Sequence, residues 1–264
     1  MKKVPFDNSW PDSWKLSHHY DLLEQPGAED RTGYVYTYRE RWKRTLALVK
    51  RAAPPPATVL DVAAAQGNFS LALAELGYDV TWNDLRVELA DYVRLKYDRG
   101  NLHYAPGNAF ELGFRECFDV VLITEVIEHV AHPDAFLTQI AQMVRPGGHV
   151  VLTTPNGAYF RNRLPRFSDH PDPSRFESMQ FQPDSDGHIF LLHEDEIRAL
   201  ADQSGLDVVE LQMFANSLTN AHLKTAPLLR VLPSGVVNVI ERATETLPFR
   251  SRLHTSIAVL LRKR

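Results

Sequence analysis

Residues 57–70, ATVLDVAAAQGNFS, decide how the chain is read. Val59 and Leu60 lead an apolar run into Asp61. Small residues fill the turn from Val62 to Gly67. A helix then begins at Asn68 and carries Phe69, Leu71, Leu73 and Leu76. The order is strand, tight turn, helix. Ala63, Ala64, Ala65 and Gly67 are small enough for a ligand to lie against the backbone, and the free N–H groups of the new helix point into the same space. Such a turn holds a polar ligand at the carboxyl end of a strand. An acid at the strand's end repels a pyrophosphate and attracts an ammonium. Ala63, Ala65 and Gly67 are spaced by two, unlike the G-x-G-x-x-G of a dinucleotide fingerprint. An ordinary turn between strand and helix is the alternative reading.

Outward from this stretch, strands and helices alternate. The spacing predicts a strand over Thr58–Val62 and a helix over 68–76, with Gly77 as its stop. Strands follow at Asp79–Trp82, 102–105 and 118–123, and a helix at 87–97 ends at Gly100. The fourth strand is apolar apart from Asp119, as a strand covered on both faces should be. A helix over 134–144 is entered through Pro133. Arg145-Pro-Gly-Gly148 is a turn before a strand at 149–153. A helix over 194–204 and strands at 206–214 and 255–261 complete the set. This alternation argues for a parallel sheet with helices on both sides.

The flanks are less regular. Residues 1–30, with Trp10, Trp14, His18, His19 and Tyr20, read as an irregular arm that packing over the site could order. Residues 33–51 read as a helix covering the sheet, with Tyr38, Trp42, Leu46 and Val49 at spacings of three and four. The run Tyr34, Tyr36, Tyr38, Arg39 could alternatively touch a ligand. Pro54, Pro55 and Pro56 end this helix, so the arm and its helix occupy 1–56 and the main domain 57–264. Residues 155–187 hold five prolines and no clear period, which suggests an excursion over the carboxyl edge of the sheet. Residues 216–248 form a second insertion rich in leucine and valine. It reads as a packed cap rather than a membrane anchor, because Pro227 and Pro233 interrupt any amphipathic helix. Both insertions are expected to roof the site.

Composition narrows the class. The chain has 264 residues, 44% of them hydrophobic, enough for one generous α/β domain. A net charge of −4 gives no global attraction to nucleic acid. The single cysteine, Cys117, excludes an internal disulfide framework and fits a reducing cytoplasm. No signal peptide is visible, and no run approaches the roughly 20 apolar residues of a membrane helix.

Four motifs carry the chemistry. The first is Asp61-x-Ala63-x-Ala65-x-Gly67. The second is Asp84 after strand two, where a carboxylate can accept both hydroxyls of a ribose, or else cap the next helix. The third is Pro106-Gly107-Asn108-Ala109-Phe110. The fourth is Thr124-Glu125-Val-Ile-Glu128-His129, followed by Arg145-Pro-Gly-Gly148 and Thr153-Thr-Pro155-Asn156. In this order they resemble class I S-adenosylmethionine-dependent methyltransferases over about residues 57–156, and loosely over 188–214. Two of the three glycines of that family's first motif are alanines here, and Asn108 replaces an acid.

The resemblance implies a three-layer Rossmann-like sandwich with a mostly parallel seven-stranded sheet and an antiparallel last strand. It implies that S-adenosylmethionine meets Asp61, Ala63, Ala65, Gly67, Asp84, Leu85, Asn108, Ala109, Phe110 and Thr124. Asn108 would still accept a bond from the adenine amino group, and Phe110 could stack on the ring; a turn with Asn108 in a left-handed conformation is the alternative. The E-x-x-E-H form is similar to that of ubiquinone-biosynthesis O-methyltransferases and small-RNA 2′-O-methyltransferases. There, such a triplet and a later histidine bind a divalent metal, so Glu125, Glu128, His129 and His188 are the candidate ligands for magnesium or manganese. Without a metal, His129 is the leading candidate base, with Glu125 and His188 the other candidates.

Three functions remain open at this point. A small-molecule O-methyltransferase would act on a phenolic, sugar or lipid-linked hydroxyl. An RNA 2′-O-methyltransferase needs a basic patch, and only Arg161, Arg163 and Arg166 cluster near the site, with acids after them. A non-catalytic cofactor-binding protein is suggested by the two alanines.

Overall fold

The computed structural model describes residues 1–24, 33–180, 187–220 and 223–264. Parts of the arm (25–32), of the first insertion (181–186) and of the second (221–222, with His222) lie outside the described residues.

Seven strands form one sheet in the order β3-β2-β1-β4-β5-β7-β6. They are β1 (Thr58–Val62), β2 (Asp79–Trp82), β3 (Asn101–Tyr104), β4 (Phe118–Thr124), β5 (Val144–Pro155), β6 (Leu206–Asn216) and β7 (His254–Lys263). Strands β1 to β5 pair in parallel, and β7 runs antiparallel to both β5 and β6. This is the sheet that the motif resemblance implied. The order reverses direction between β1 and β4, and at such a switch point the loops leaving the two carboxyl ends part and leave a crevice.

Alternation within the strands explains the layers. Leu60, Val62, Val121, Ile123 and Leu152 face one way, under α5 (Pro133–Met143) and α6 (Glu194–Gln203). Val59, Val80, Val120, Leu122 and Val151 face the other, under α2 (Gly33–Ala52) and α3 (Asn68–Glu75). Each fully buried aliphatic side chain contributes about 1.5–3 kcal/mol. The one acid in β4, Asp119, is satisfied at its edge. It accepts the Thr58 N–H at 2.8 Å and pairs with Arg145 at 2.8 Å.

Two readings need correction. The arm is not irregular throughout, because Asp12–Glu24 forms helix α1. Strand β5 starts at Val144, which pairs with Phe118, and residues 145–148 bulge out before pairing resumes at His149.

Helix α4 (Leu89–Lys96) holds α1 in place through a buried charge. Lys96 Nζ donates to Asp21 Oδ1 at 2.7 Å, to Gln66 O at 2.8 Å and to Asn68 Oδ1 at 2.6 Å. Tyr92 OH donates to the other Asp21 oxygen at 2.6 Å. One ammonium therefore ties the arm to the turn after β1.

Candidate active site

The turn after β1 is as tight as its small residues suggest. Ala63, Ala65 and Gly67 have φ of 54°, 48° and 70°. In this region a Cβ costs roughly 1–2 kcal/mol per residue. At Gly67 there is also no room for one: a Cβ would stand 2.9 Å from both Val93 methyls. The two alanines thus occupy the strained conformation that glycine would take more cheaply.

Asp61 lies behind this turn, 1% exposed. Ser70 Oγ donates to its Oδ2 at 2.5 Å, and Oδ1 has no hydrogen-bond partner among the described residues. Burial pushes this carboxyl up to about 7, against the lowering effect of the Ser70 bonds. Asp84 follows β2 and is also buried. Its Oδ2 accepts the Ala65 N–H at 2.8 Å and its Oδ1 the Arg86 N–H at 2.9 Å. The Arg86 guanidinium adds bonds of 3.0 and 3.1 Å. The expected ribose acceptor therefore braces two turns, with Arg86 between it and the open space.

That space is a cavity of about 910 Å³ at the carboxyl edge of the sheet. Of the cofactor positions named from sequence, Ala63, Ala65 and Thr124 line it. Asp61, Gly67, Asp84, Leu85, Asn108, Ala109 and Phe110 do not. Asn108 caps a short 3-10 turn over Ala109–Glu111, accepting the Phe110 N–H at 3.2 Å and donating to Glu111 at 2.8 Å. Ala109 is buried, and Phe110 packs edge-on against Phe136 with ring centroids 5.6 Å apart. Asn108 is extended, with φ −70° and ψ 112°, so a left-handed turn does not form there; Phe110 packs on the core, and the Asn108 amide oxygen is engaged.

On the other side of the cavity stands the E-x-x-E-H element. Glu125 follows β4 with φ 54°, a strained conformation for a residue with a side chain. Its Oε1 accepts from Thr153 Oγ1 at 2.9 Å, and its Oε2 pairs with Arg41 at 3.1 Å. Glu128 and His129 sit on a 3-10 turn, Ile127–His129, rather than an α-helical one. The Ile189 N–H donates to the Glu128 carbonyl at 2.7 Å, which brings His188 back across the β4 mouth. The His129 and His188 rings lie 4.7 Å apart.

One ligand atom each from Glu128, His129 and His188 falls within 4.8 Å of the others. Glu125 is not in this group, because Arg41 and Thr153 hold its carboxylate; the expected set of four reduces to three. Glu128 is fully buried. Its Oε2 accepts from Thr154 Oγ1 at 3.0 Å, while Oε1 has no hydrogen-bond partner among the described residues and lies 4.0 Å from His188 Nε2. Burial first, then the Glu125 charge, hold this carboxyl well above the usual carboxylate range. A buried, unpartnered carboxylate oxygen beside two imidazoles fits a divalent cation.

The roof differs from the expectation. Among the described residues, the two insertions contribute only Pro155, Asn156, Tyr159 and Asn220 to the lining. Helices α1 and α2 supply Tyr20, Glu24, Tyr34, Tyr38 and Arg41. Glu24 reaches the turn after β1, accepting from Gln66 Nε2 at 2.6 Å and Asn68 Nδ2 at 3.0 Å, and Tyr34 OH donates to it at 2.5 Å. Burial raises the Glu24 carboxyl. The signal available in the sequence was the spacing 34, 38, 41 on one helix face. Tyr36 points elsewhere, to Glu241.

A switch-point crevice with a small-residue turn on one wall and an acidic–histidine element on the other defines a class I S-adenosylmethionine-dependent methyltransferase. The chain belongs to the family described as a methyltransferase domain, which it matches over residues 34–211. A ubiquinone biosynthesis O-methyltransferase of Xanthomonas campestris pv. campestris is 36% identical over 110 residues, 40% of this chain and 46% of that protein. The chain thus spans about half the length of the curated relatives it matches. An S-adenosylmethionine-dependent methyltransferase structure from Mesorhizobium loti superposes with a TM-score of 0.57 at 15% identity, covering 84% of this chain and 97% of the other. One from Archaeoglobus fulgidus gives 0.53 at 16%, covering 87% and 100%. At such identities the structures speak for the fold. No helix among the described residues is long and apolar enough to cross a membrane.

Proposed function

We propose that the chain transfers a methyl group from S-adenosylmethionine to a hydroxyl of a small molecule, with Glu128, His129 and His188 placed to hold magnesium or manganese beside the acceptor. One observation carries this reading: the turn after β1 and the Glu128–His129–His188 group open into one cavity of about 910 Å³. The relative's name supports oxygen as the methylated atom. When bound, S-adenosylmethionine supplies the activated methyl group and a divalent cation lowers the pKa of the acceptor hydroxyl.

The chain's own part is positioning. Ala63 and Ala65 let the cofactor approach the backbone. The buried Asp61 carboxylate favours its cationic end, and Asp84 is the ribose acceptor once Arg86 moves aside. Leu85, Asn108, Ala109 and Phe110 stay assigned to the adenine end, Leu85 as an exposed apolar side chain and the other three as the turn after β3. Arg41 fixes Glu125, and both shape the floor between cofactor and acceptor. The α1–α2 roof excludes water, which methyl transfer requires. Without a metal, His129 is placed to take the hydroxyl proton.

Charge supports a small molecule over RNA. The net charge is −4, and Arg166 is already paired with Asp195. The test is turnover with labelled S-adenosylmethionine and a catechol probe, before and after EDTA treatment. Chelation should abolish turnover and leave cofactor binding intact. Unchanged turnover in EDTA would remove the metal and leave His129 as base, and His129→Ala should then lower kcat far more than it raises KM.

A further inference from the structure

The segment after β6 folds into α7 (Ala226–Val231), α8 (Ser234–Glu245) and α9 (Arg250–Leu253). Pro227 and Pro233 stand at the starts of α7 and α8, so the prolines separate two short helices rather than prevent them. Their inner face packs. Leu229 and Val237 are buried against Phe214, Ala215 and Leu260. Glu241 is buried and accepts from Thr219 Oγ1 at 2.6 Å and Asn216 Nδ2 at 2.9 Å. This half of the segment is the cap expected from the sequence.

The outer face is of another kind. Leu228 and Val231 on α7, Val236 and Val239 on α8, and Phe249 before α9 are exposed, Val231 by 78% and Val239 by 66%. The charges around them have one sign. Lys224, Arg242, Arg250 and Arg252 are exposed. The two carboxylates of the segment are engaged: Glu241 is buried, and the partly exposed Glu245 pairs with Arg44. In a chain of net charge −4, exposed apolar and cationic side chains here stand together with no exposed acid among the described residues 223–252. The face also begins beside the cavity. Asn220, which lines it, accepts the Gly33 N–H at 3.0 Å, and Leu218 and Leu223 on either side of Asn220 are exposed.

We propose that the outer face of α7 and α8, with the turn into α9, docks on an anionic lipid bilayer. Apolar side chains of this kind enter the boundary between headgroups and acyl chains, while neighbouring lysines and arginines meet the anionic headgroups. The charge pattern selects this occupant, since a zwitterionic surface would leave four cations unmatched and a second copy of the same face would oppose them to one another. Docking in this way brings the neighbourhood of the cavity to the membrane.

Sedimentation with vesicles of phosphatidylcholine, with and without phosphatidylglycerol, tests this independently of methyl transfer. The protein should bind the anionic vesicles, bind neutral ones weakly, and dissociate as salt screens the headgroups. Val231→Glu combined with Val239→Glu should lower anionic-vesicle binding about tenfold or more. S-adenosylmethionine affinity and the melting temperature should stay at wild-type values, because neither residue packs in the core. Lys224→Glu with Arg242→Glu should remove the salt dependence. No binding to anionic vesicles, equal binding to neutral ones, or binding that survives both pairs of substitutions overturns the proposal. A wild-type dimer that the valine substitutions dissociate, with no vesicle binding, also overturns it and assigns the face to self-association.

Discussion

Arg86 grips Asp84 with both ends of its guanidinium, Nε to Oδ1 at 3.0 Å and Nη2 to Oδ2 at 3.1 Å. Arg86 lines the cavity and Asp84 does not. The carboxylate can accept ribose hydroxyls only when the guanidinium swings aside. The Arg86 side chain is half exposed, so releasing it costs no more than about 1 kcal/mol. Arg86→Ala should therefore tighten S-adenosylmethionine binding about two- to fivefold in a calorimetric titration. Weaker binding would show that Arg86 holds the cofactor instead of competing with it.

The strained turn makes a stability prediction. Ala63 and Ala65 sit at positive φ, where glycine is unstrained. Removing the Cβ relieves roughly 1–2 kcal/mol each, offset by about 0.5–1 kcal/mol of extra chain entropy in the unfolded state. Ala63→Gly and Ala65→Gly should each stabilise by about 0.5–1 kcal/mol in urea unfolding. Gly67→Ala should do the opposite by about 2 kcal/mol or more, because its Cβ would meet Val93. A destabilised Ala63→Gly or Ala65→Gly variant would contradict the geometry of the turn.

Asp61 predicts a pH dependence. Its carboxyl is raised by burial from 3.8 to about 7. Between those values the folded chain binds more protons than the unfolded one, so this group makes stability fall as pH rises from about 4 to about 7. Asp61→Asn should flatten that part of the profile. S-adenosylmethionine carries two cationic centres and favours the ionised carboxylate. Its affinity should therefore rise between pH 6 and 8, with a proton released on binding. Affinity independent of pH in the wild type would separate Asp61 from the cofactor.

How far the sequence could be read depended on the kind of force involved. The sheet was legible because β1, β4 and β5 are apolar runs broken by turn residues, and that pattern follows directly from burial on both faces. The first motif was legible through its small residues, and His188 through its place before α6. Helix α1 was hidden, because DSWKLSHHYDLLE has no apolar stripe. Polar anchors hold it instead, chiefly Asp21 on Lys96 and the Trp14 indole N–H on Glu88 O. Such anchors join residues more than 70 positions apart and leave no local period. The roof was misassigned for the same reason, since it depends on where α1 and α2 dock. Glu125 was misjudged because Arg41 and Thr153 hold its carboxylate, and neither its positive φ nor those partners can be read from the motif.

The most direct measurement is a calorimetric titration of S-adenosylmethionine into the wild-type protein and into Asp84→Ala. The wild type should bind one equivalent. The variant loses two hydrogen bonds to a charged acceptor and the brace on the Ala65 N–H, worth roughly 1–3 kcal/mol, so its Kd should rise about five- to 150-fold. Absence of saturable binding to the wild type, or an unchanged Kd in Asp84→Ala, would contradict the assignment of this cavity to the cofactor.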